Sequence, residues 1–428
     1  MKIYTLGGYE EVGKNMTAIE VDSEVMIIDM GLRIDRMMID EDTNLRDLTS
    51  EELCRLGAIP DDSLLSGKKV VGIILSHGHL DHIGAITKLS EKYECPIISR
   101  PYTSKIANSL MREEKKDTRN ILNAKEGRLG DFYFKFINVT HSIPHSSLVS
   151  LNTKEGEVLY ANDYKLDPHP QIGEKTDFTS LKRVNPKVLI VESLRVSEYR
   201  KTPSERIAKL MLEDYLLDEE MKFNGIVVTT FSSQIARLKT LIGCAKKLGR
   251  EPVLLGRSLS RYYGGALDLG IVEEKVRMVY RRGALNKELE KIGKDKEKYF
   301  MMVTGHQGEP DAVLSRIANR KTPFEFEKRD VLVFSATTIP NPINEANKYI
   351  LKTKLMMQKV RMVEDLHVSG HASREDHRQL LRIVNPEYIL PSHGNFEMLS
   401  SWGELGEEEG YRIGKEIFVQ KNSQILEI

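Results

Sequence analysis

The residues best suited to chemistry lie in one short run, His77-Gly78-His79-Leu80-Asp81-His82. This run holds three imidazoles and one carboxylate within six residues, and these are ligand types that a divalent ion such as Zn²⁺ prefers. The alternative is a solvated, His-rich turn. That alternative gives no reason for histidines and a carboxylate to cluster directly after an apolar stretch. The run therefore predicts a metal site, and the rest of the chain must supply further ligands.

Predicted strands and a helix hold this run and bring other side chains to it. The apolar residues 70–75 immediately before it indicate a buried strand, and the apolar spacing over 83–89 indicates an amphipathic helix. Four more candidates each follow a predicted strand, a position from which they can reach the same sheet edge: Asp29, His141, Asp163 and His393.

The candidate ligands are too many for one tetrahedral ion and suit two ions that share a carboxylate. One set would be His77, His79 and His141, and the other Asp81, His82 and His393, with Asp163 as the bridge. Two cations ~3.5–4 Å apart would hold a hydroxide nucleophile aimed at a phosphorus or carbonyl centre. Asp29 is interpreted as an outer residue that orients the ligands.

Composition limits the class of protein. The chain has 428 residues, enough for two or three domains, and its 63 basic and 63 acidic side chains balance. A nucleic-acid partner would therefore need a local basic groove. No apolar run approaches the ~20 residues that span a bilayer, and the N-terminus resembles no signal peptide. Cys54, Cys95 and Cys244 form no CxxC pair, which favours a reducing cytoplasm.

The middle of the chain alternates short apolar strands with helices. Strands are predicted at 188–191, 225–230, 252–255 and 331–334, and their alternation with helices indicates a parallel α/β sheet with ligands at the carboxyl ends of its strands. The Lys- and Glu-rich stretch 281–298 is interpreted as a solvated helix face, with a nucleic-acid contact as the alternative.

Together these residues resemble a known family. Asp29, the run 77–82, His141, Asp163 and His393 match the motif series of the metallo-β-lactamase superfamily. Three residues look like the additional motifs of its β-CASP subgroup, which processes nucleic acids: Glu192, His371 and His393. Within that subgroup the chain is similar to the ribonuclease J family at 140–144, 231–233, 305–310, 367–371 and 391–394.

The resemblance implies an α/β fold, a metallo-β-lactamase αββα sandwich with an inserted β-CASP parallel α/β domain. On this basis residues 1–185 are the first part of the metallo-β-lactamase domain and 186–362 are the β-CASP domain. Residues 363–428 are then the C-terminal return of the metallo-β-lactamase domain. Only residues 394–428 follow the last histidine motif, so the chain resembles the shorter, archaeal form of the family.

The resemblance also implies an activity. The expected enzyme is a 5′-to-3′ exoribonuclease with additional endonuclease ability, acting in RNA decay or maturation on single-stranded, 5′-monophosphorylated RNA. It would use two Zn²⁺ ions, with Mn²⁺ or Mg²⁺ as alternatives, and form a homodimer.

Particular residues are expected to carry this activity. The catalytic residues would be Asp81, His371 and Glu192: His371 would contact the scissile phosphate or assist the leaving group, and Glu192 would orient it. A pocket of small residues and backbone N–H groups for the terminal 5′-phosphate is expected from Ser233, His367, Ser369, Gly370 and Ala372.

Other functions remain open from the sequence alone. A cleavage-factor-like RNA endonuclease shares the metal and β-CASP motifs. A small-molecule metallo-hydrolase shares the metal core, but the inserted α/β domain and the returning histidines argue against it. A catalytically silent RNA-binding protein is disfavoured by the complete ligand set.

Overall fold

The structure is a computed structural model that describes residues 1–38 and 48–428. The chain divides into two compact units: unit 1 contains Met1–Thr202 and Ser369–Ile428, and unit 2 contains Pro203–Val368. The sequence-based boundaries lie earlier, after residues 185 and 362. The strand Pro186–Glu192 lies in unit 1, where it pairs with strands on both of its sides.

Unit 1 contains two sheets. The strands of the first are β1 Lys2–Gly7, β2 Met16–Val21, β3 Glu24–Ile28, β4 Lys69–Leu75, β5 Ile97–Ser99, β6 Ile121–Asn123 and β19 Gln424–Glu427. The strands of the second are β7 Glu126–Leu129, β8 Phe132–Asn138, β9 Ser147–Thr153, β10 Gly156–Ala161, β11 Pro186–Glu192 and β18 Tyr388–Ser392. Their orders are β19-β1-β2-β3-β4-β5-β6 and β18-β11-β10-β9-β8-β7.

The α-helices of unit 1 lie between these strands along the chain. They are α1 Ser50–Arg55, α2 Leu80–Ile83, α3 Ile86–Leu89, α4 Pro101–Glu113, α5 Phe178–Leu181, α12 Arg374–Val384 and α13 Phe396–Glu408. Helix α4 packs against β5 and β6, while Leu380 and Trp402 from α12 and α13 join a core with Leu189 of the second sheet. Between the sheets, Ile28 and Ile74 share a core with residues of the second sheet such as Phe134. This arrangement confirms the predicted αββα sandwich.

The strand directions bring candidate ligands to one edge of each sheet. β8, β10, β11 and β18 all run the same way, because β9 is antiparallel to both of its neighbours and β11 is parallel to both β10 and β18. β3 is likewise parallel to β4. Each strand that precedes a candidate ligand therefore ends at the same edge of its sheet as the others.

Unit 2 is built on a parallel sheet. Its strands are β12 Ile226–Thr229, β13 Glu251–Leu255, β14 Arg277–Val279, β15 Tyr299–Val303, β16 Val331–Phe334 and β17 Arg361–Val363, in the order β14-β13-β15-β12-β16-β17. Every pairing between them is parallel, as predicted. The helices are α6 Glu205–Leu216, α7 Ile235–Lys247, α8 Arg257–Asp268, α9 Arg282–Lys294, α10 Val313–Ala318 and α11 Pro342–Met357.

One local prediction is wrong. The expected continuous helix over 83–89 is two single-turn helices, α2 and α3. The backbone N–H of Ala85 donates to Met30 O at 2.9 Å, and the carbonyl of Asp81 accepts from Asn15 N at 2.9 Å. In a continuous helix these two groups would bond to each other, so contacts with a distant segment interrupt it.

Across residues 1–38 and 48–428, no helix combines the length and the apolar character that crossing a membrane requires.

Candidate metal centre

The backbone of the histidine-rich run is fixed by the segment that follows β3 and by Asn15, which directly precedes β2. The consecutive carbonyl oxygens of residues 80–82 accept backbone hydrogen bonds from Leu32, Asn15 and Met30, at 2.9, 2.9 and 2.7 Å. Gly31 lies so close that a Cβ there would be 1.7 Å from the middle carbonyl. Only glycine allows this approach, so the run is held as a rigid loop.

The first ligand group comprises His77, His79, His141 and Asp163. Nδ1 of His79 lies 3.1 Å from Nε2 of His77 and 3.1 Å from Nε2 of His141. Asp163 Oδ2 lies 3.6 Å from His77 Nε2 and 3.8 Å from His141 Nε2. Nitrogens bound at ~2.0–2.1 Å to one tetrahedral ion would lie ~3.3 Å apart. The spacing fits a single cation.

The second group comprises Asp81, His82, Asp163 and His393. Asp163 is common to both groups: its Oδ2 lies 3.3 Å from His82 Nε2, and its Oδ1 lies 3.5 Å from His393 Nε2. Asp81 Oδ2 lies 3.8 Å from His82 Nε2 and 3.7 Å from His393 Nε2. The structure thus brings together the two residue sets expected from the sequence, while the role of each residue as a ligand remains a prediction.

Asp163 gives the clearest indication that cations belong here. Both of its carboxylate oxygens are buried without a hydrogen-bond partner among the described residues. A buried carboxylate is costly unless it is paired or coordinates a metal. Imidazoles surround Asp163 at 3.3–3.8 Å, so the donor set fits divalent cations.

Burial prepares several imidazoles for coordination. It lowers the pKa of His77 and of His141 well below the ordinary value, and the neighbouring imidazoles lower it further. Burial also lowers the pKa of His79 to about 4, although nearby carboxylates oppose the shift. These rings are therefore neutral near pH 7, the form in which an imidazole nitrogen binds a metal.

Asp29 contacts His82 of the second group at Nδ1, the ring nitrogen that does not face Asp163. It follows β3, which is in register with β4, so its carboxylate faces the start of the run. Oδ2 accepts hydrogen bonds from His82 Nδ1 at 2.7 Å and Ser76 Oγ at 2.8 Å, and Oδ1 accepts one from Ser76 N at 2.8 Å. This contact fixes the orientation of the His82 ring, as its predicted outer role requires.

Glu192 and His371 form a pair beside Asp163. Glu192 Oε2 lies 2.7 Å from His371 Nδ1, and Oε1 accepts from Tyr164 N at 3.0 Å. His371 Nδ1 is also 3.8 Å from Asp163 Oδ2. Burial lowers the pKa of His371, but the Glu192 and Asp163 carboxylates outweigh it and raise that pKa to about 9. Nδ1–H donates to Glu192, so Nε2 remains for a substrate.

The residues proposed for the phosphate pocket are divided between the units. In unit 1, Ser369 Oγ accepts from His371 N at 3.0 Å, Gly370 O lies 2.7 Å from His141 Nδ1, and Ala372 N donates to Glu192 at 3.4 Å. Two others, Ser233 and His367, lie in unit 2. Their common role stays a prediction.

Two contact residues were not found from the sequence. The amide nitrogen of Asn15 lies 2.9 Å from His393 Nδ1 and 3.1 Å from His82 Nε2. Ser142 Oγ lies 3.2 Å from His79 Nε2. An asparagine directly before a strand carries no signal of such a role, whereas Ser142 stands within the motif 140–144 and could have been proposed.

Comparison with known proteins matches successive parts of the chain to different family descriptions. Three families match: "Metallo-beta-lactamase superfamily" at residues 9–186, "Ribonuclease J, beta-CASP domain" at 224–352 and "Zn-dependent metallo-hydrolase RNA specificity domain" at 357–419. Ribonuclease J of Pyrococcus abyssi (strain GE5 / Orsay) is 50% identical over 439 aligned residues, which cover 100% of this chain and 97% of that protein. The chain belongs to the ribonuclease J family.

Other comparisons agree with this family assignment, which the sequence resemblance predicted. Ribonuclease J of Methanocaldococcus jannaschii is 46% identical, over 100% of this chain and 98% of that protein. A crystal structure of a protein of unknown function from Enterococcus faecalis V583 has a TM-score of 0.67 at 17% identity and covers 99% of both chains. At that identity the likeness shows the fold alone.

Proposed function

We propose that this ribonuclease J family member is a zinc-dependent exoribonuclease that removes nucleotides in the 5′-to-3′ direction from single-stranded, 5′-monophosphorylated RNA. Membership of the family makes the chain a metal-dependent ribonuclease; the proposal adds the direction, the end group and the metal. One observation carries it: the loop 369–372 is hydrogen-bonded to a candidate metal ligand, since Gly370 O lies 2.7 Å from His141 Nδ1. A 5′-phosphate held there would place the first linkage at the site.

The seven predicted ligands would hold two cations, with Mn²⁺ or Mg²⁺ as alternatives to Zn²⁺. When bound, the cations would polarise the phosphodiester and lower the pKa of water towards neutrality. Asp29 would keep His82 oriented for this task, since its carboxylate holds the far ring nitrogen.

The chain's own residues would then supply the leaving-group proton. Each cycle must leave a new 5′-monophosphate for the next, so the P–O3′ bond breaks and the 3′-oxygen of the released nucleotide takes up a proton. His371 would donate it from Nε2, because Nδ1 is engaged by Glu192 at 2.7 Å. Glu192 would hold the ring in place, since Tyr164 N and Ala372 N anchor its other oxygen.

RNA binding must be local, because the chain as a whole carries no net charge. We expect the affinity for RNA to fall steeply with added salt, as backbone phosphates release their counterions on binding. The homodimer and the cytoplasmic location stay predictions from the family resemblance and the cysteine pattern.

Time courses on RNA labelled at either end test the proposal. We expect mononucleotides to appear first from the 5′ end, with 5′-triphosphorylated RNA degraded more slowly. Discrete internal products that do not depend on the 5′ group would overturn the exonuclease proposal in favour of the endonuclease. Asp81→Ala should abolish cleavage and retain RNA binding, whereas retained cleavage would contradict its assignment as a ligand.

A further inference from the structure

Lys165 has a buried ammonium group close to the metal centre. The residue is 3% exposed, and its Nζ donates to Ser369 O at 3.1 Å and lies 3.7 Å from Asp167 Oδ2. Removing an ammonium from water is costly even when it is paired, and a hydrocarbon side chain would often fill the same space at lower cost. A specific task for this lysine would explain its presence.

The hydrogen bonds of Lys165 lead to His371. The carbonyl oxygen of Ser369 accepts a hydrogen bond from Lys165 Nζ, and its Oγ accepts one from the backbone N–H of His371 at 3.0 Å. On the other side of the loop, Gly370 O accepts from His141 Nδ1 at 2.7 Å. A Cβ on Gly370 would be 3.1 Å from that nitrogen, so the loop lies directly against His141. Lys165 and His141 therefore hold two successive carbonyls of the loop that carries His371.

The backbone of Lys165 is bonded to the segment that carries His141. Its backbone N–H donates to Thr140 O at 2.8 Å, and its carbonyl accepts from the hydroxyl of Thr140. These bonds join two segments that carry candidate ligands. Thr140 directly precedes His141, and Lys165 lies two residues after Asp163. These bonds fix the backbone of Lys165 relative to the segments that carry His141 and Asp163.

We propose that Lys165 is a positioning residue for the proton transfer: by holding the carbonyl of Ser369, it fixes the loop 369–371 so that His371 meets the leaving 3′-oxygen. The inference rests on the proposed function, because it needs His371 to act as the acid. Misplacing a reacting group by ~1 Å can cost about 100-fold in rate, so losing this bond should slow the step substantially.

The test combines substitutions with a change of leaving atom. Lys165→Met, His371→Ala and the double variant are compared on RNA with the normal 3′-oxygen and with a bridging sulfur in its place, under single-turnover conditions. A thiolate leaves without a proton, so the sulfur linkage makes the acid unnecessary. We expect Lys165→Met to lose about 10- to 100-fold on the oxygen substrate, and the double variant to be no slower than His371→Ala. On the sulfur substrate both single variants should return to within a few-fold of the parent.

Lys296→Met in unit 2 is the matched control. Lys296 Nζ also donates to a carbonyl, Glu325 O at 2.8 Å, and to a carboxylate, Asp330 Oδ2 at 2.7 Å. It should leave the ratio of the rates on the two substrates unchanged. If Lys165→Met fails to fold, Lys165→Met/Asp167→Asn carries the same comparison with the negative charge of Asp167 removed as well.

The outcomes separate the two claims. The inference about Lys165 would be overturned if Lys165→Met lowered the cleavage rate equally on both substrates. It would also be overturned if the rate of the double variant fell by the product of the two single-variant factors. A His371→Ala variant that the sulfur does not restore would instead refute the acid role. The inference about Lys165 needs that role and would fall with it, whereas sulfur that restores His371→Ala but not Lys165→Met would overturn the inference alone.

Discussion

Replacing Asp163 with asparagine should remove most of the stabilisation that divalent cations give to unit 1. Asp163 is the residue common to both main ligand groups, and its carboxylate oxygens have no hydrogen-bond partner among the described residues. Asparagine keeps the size of the side chain and removes the charge. The substitution should therefore weaken both cation sites at once.

The size of the effect follows from linkage. A cation at 100 times its Kd stabilises the folded state by about 2.7 kcal/mol. Because 1 kcal/mol shifts the Tm by about 2–4 °C in a protein of a few hundred residues, the parent should gain about 5–11 °C per site. If Asp163→Asn weakens binding by about 100-fold, the same concentration gives only about 0.4 kcal/mol, a shift of roughly 1–2 °C.

Calorimetric unfolding of chelator-treated protein, repeated with Zn²⁺, Mn²⁺ and Mg²⁺, measures this difference. Asp177→Asn is a suitable control: Asp177 caps α5 by accepting from Ser180 N, and asparagine caps a helix about equally well. Asp177→Asn should show the same rise in Tm on adding cations as the parent. An Asp163→Asn variant whose Tm rises as much as that of the parent would refute the assignment of Asp163 as a shared ligand.

Three further results are expected. Asp29→Asn should weaken metal binding by about 10- to 100-fold in a chelator competition, because His82 loses its orienting carboxylate; unchanged affinity would exclude that role. Glu192→Gln should slow single-turnover cleavage by about 10-fold or more at unchanged metal content, and loss of metal instead would make Glu192 a ligand. Burial lowers the pKa of Lys348 from 10.5 to about 8. The folded state therefore binds fewer protons than the unfolded state between these values, and its free energy of unfolding gains a contribution that rises with pH. Denaturant titrations from pH 7 to 10 should show this rise reduced in Lys348→Met; an identical slope would contradict it.

The sequence by itself determined the chemistry of the site and the class of the fold. Imidazole and carboxylate side chains after apolar strands predict a metal centre whatever the exact path of the chain, because ligand preference depends on residue type. The alternation of short apolar strands with helices likewise predicts the parallel α/β sheet of unit 2.

Tertiary structure decided which residues meet. The parallel register of β11 with β18 pairs Glu192 with Ser392 and so brings His393 to the edge reached by His141 and Asp163, although it lies far along the chain. The break between α2 and α3 was likewise unpredictable, because hydrogen bonds from Asn15 and to Met30 replace those of a helix. Periodicity reports which face of a segment is apolar, and it is silent on distant partners.

Lys165 shows the same limit at the level of one side chain. In the sequence it is a lysine two residues after Asp163, and lysines are mostly solvent-exposed. Only the folded chain buries its ammonium against the carbonyl of Ser369. Residue type and strand pattern therefore determined what the centre can bind, and the long-range backbone contacts decided how its ligands and His371 are held.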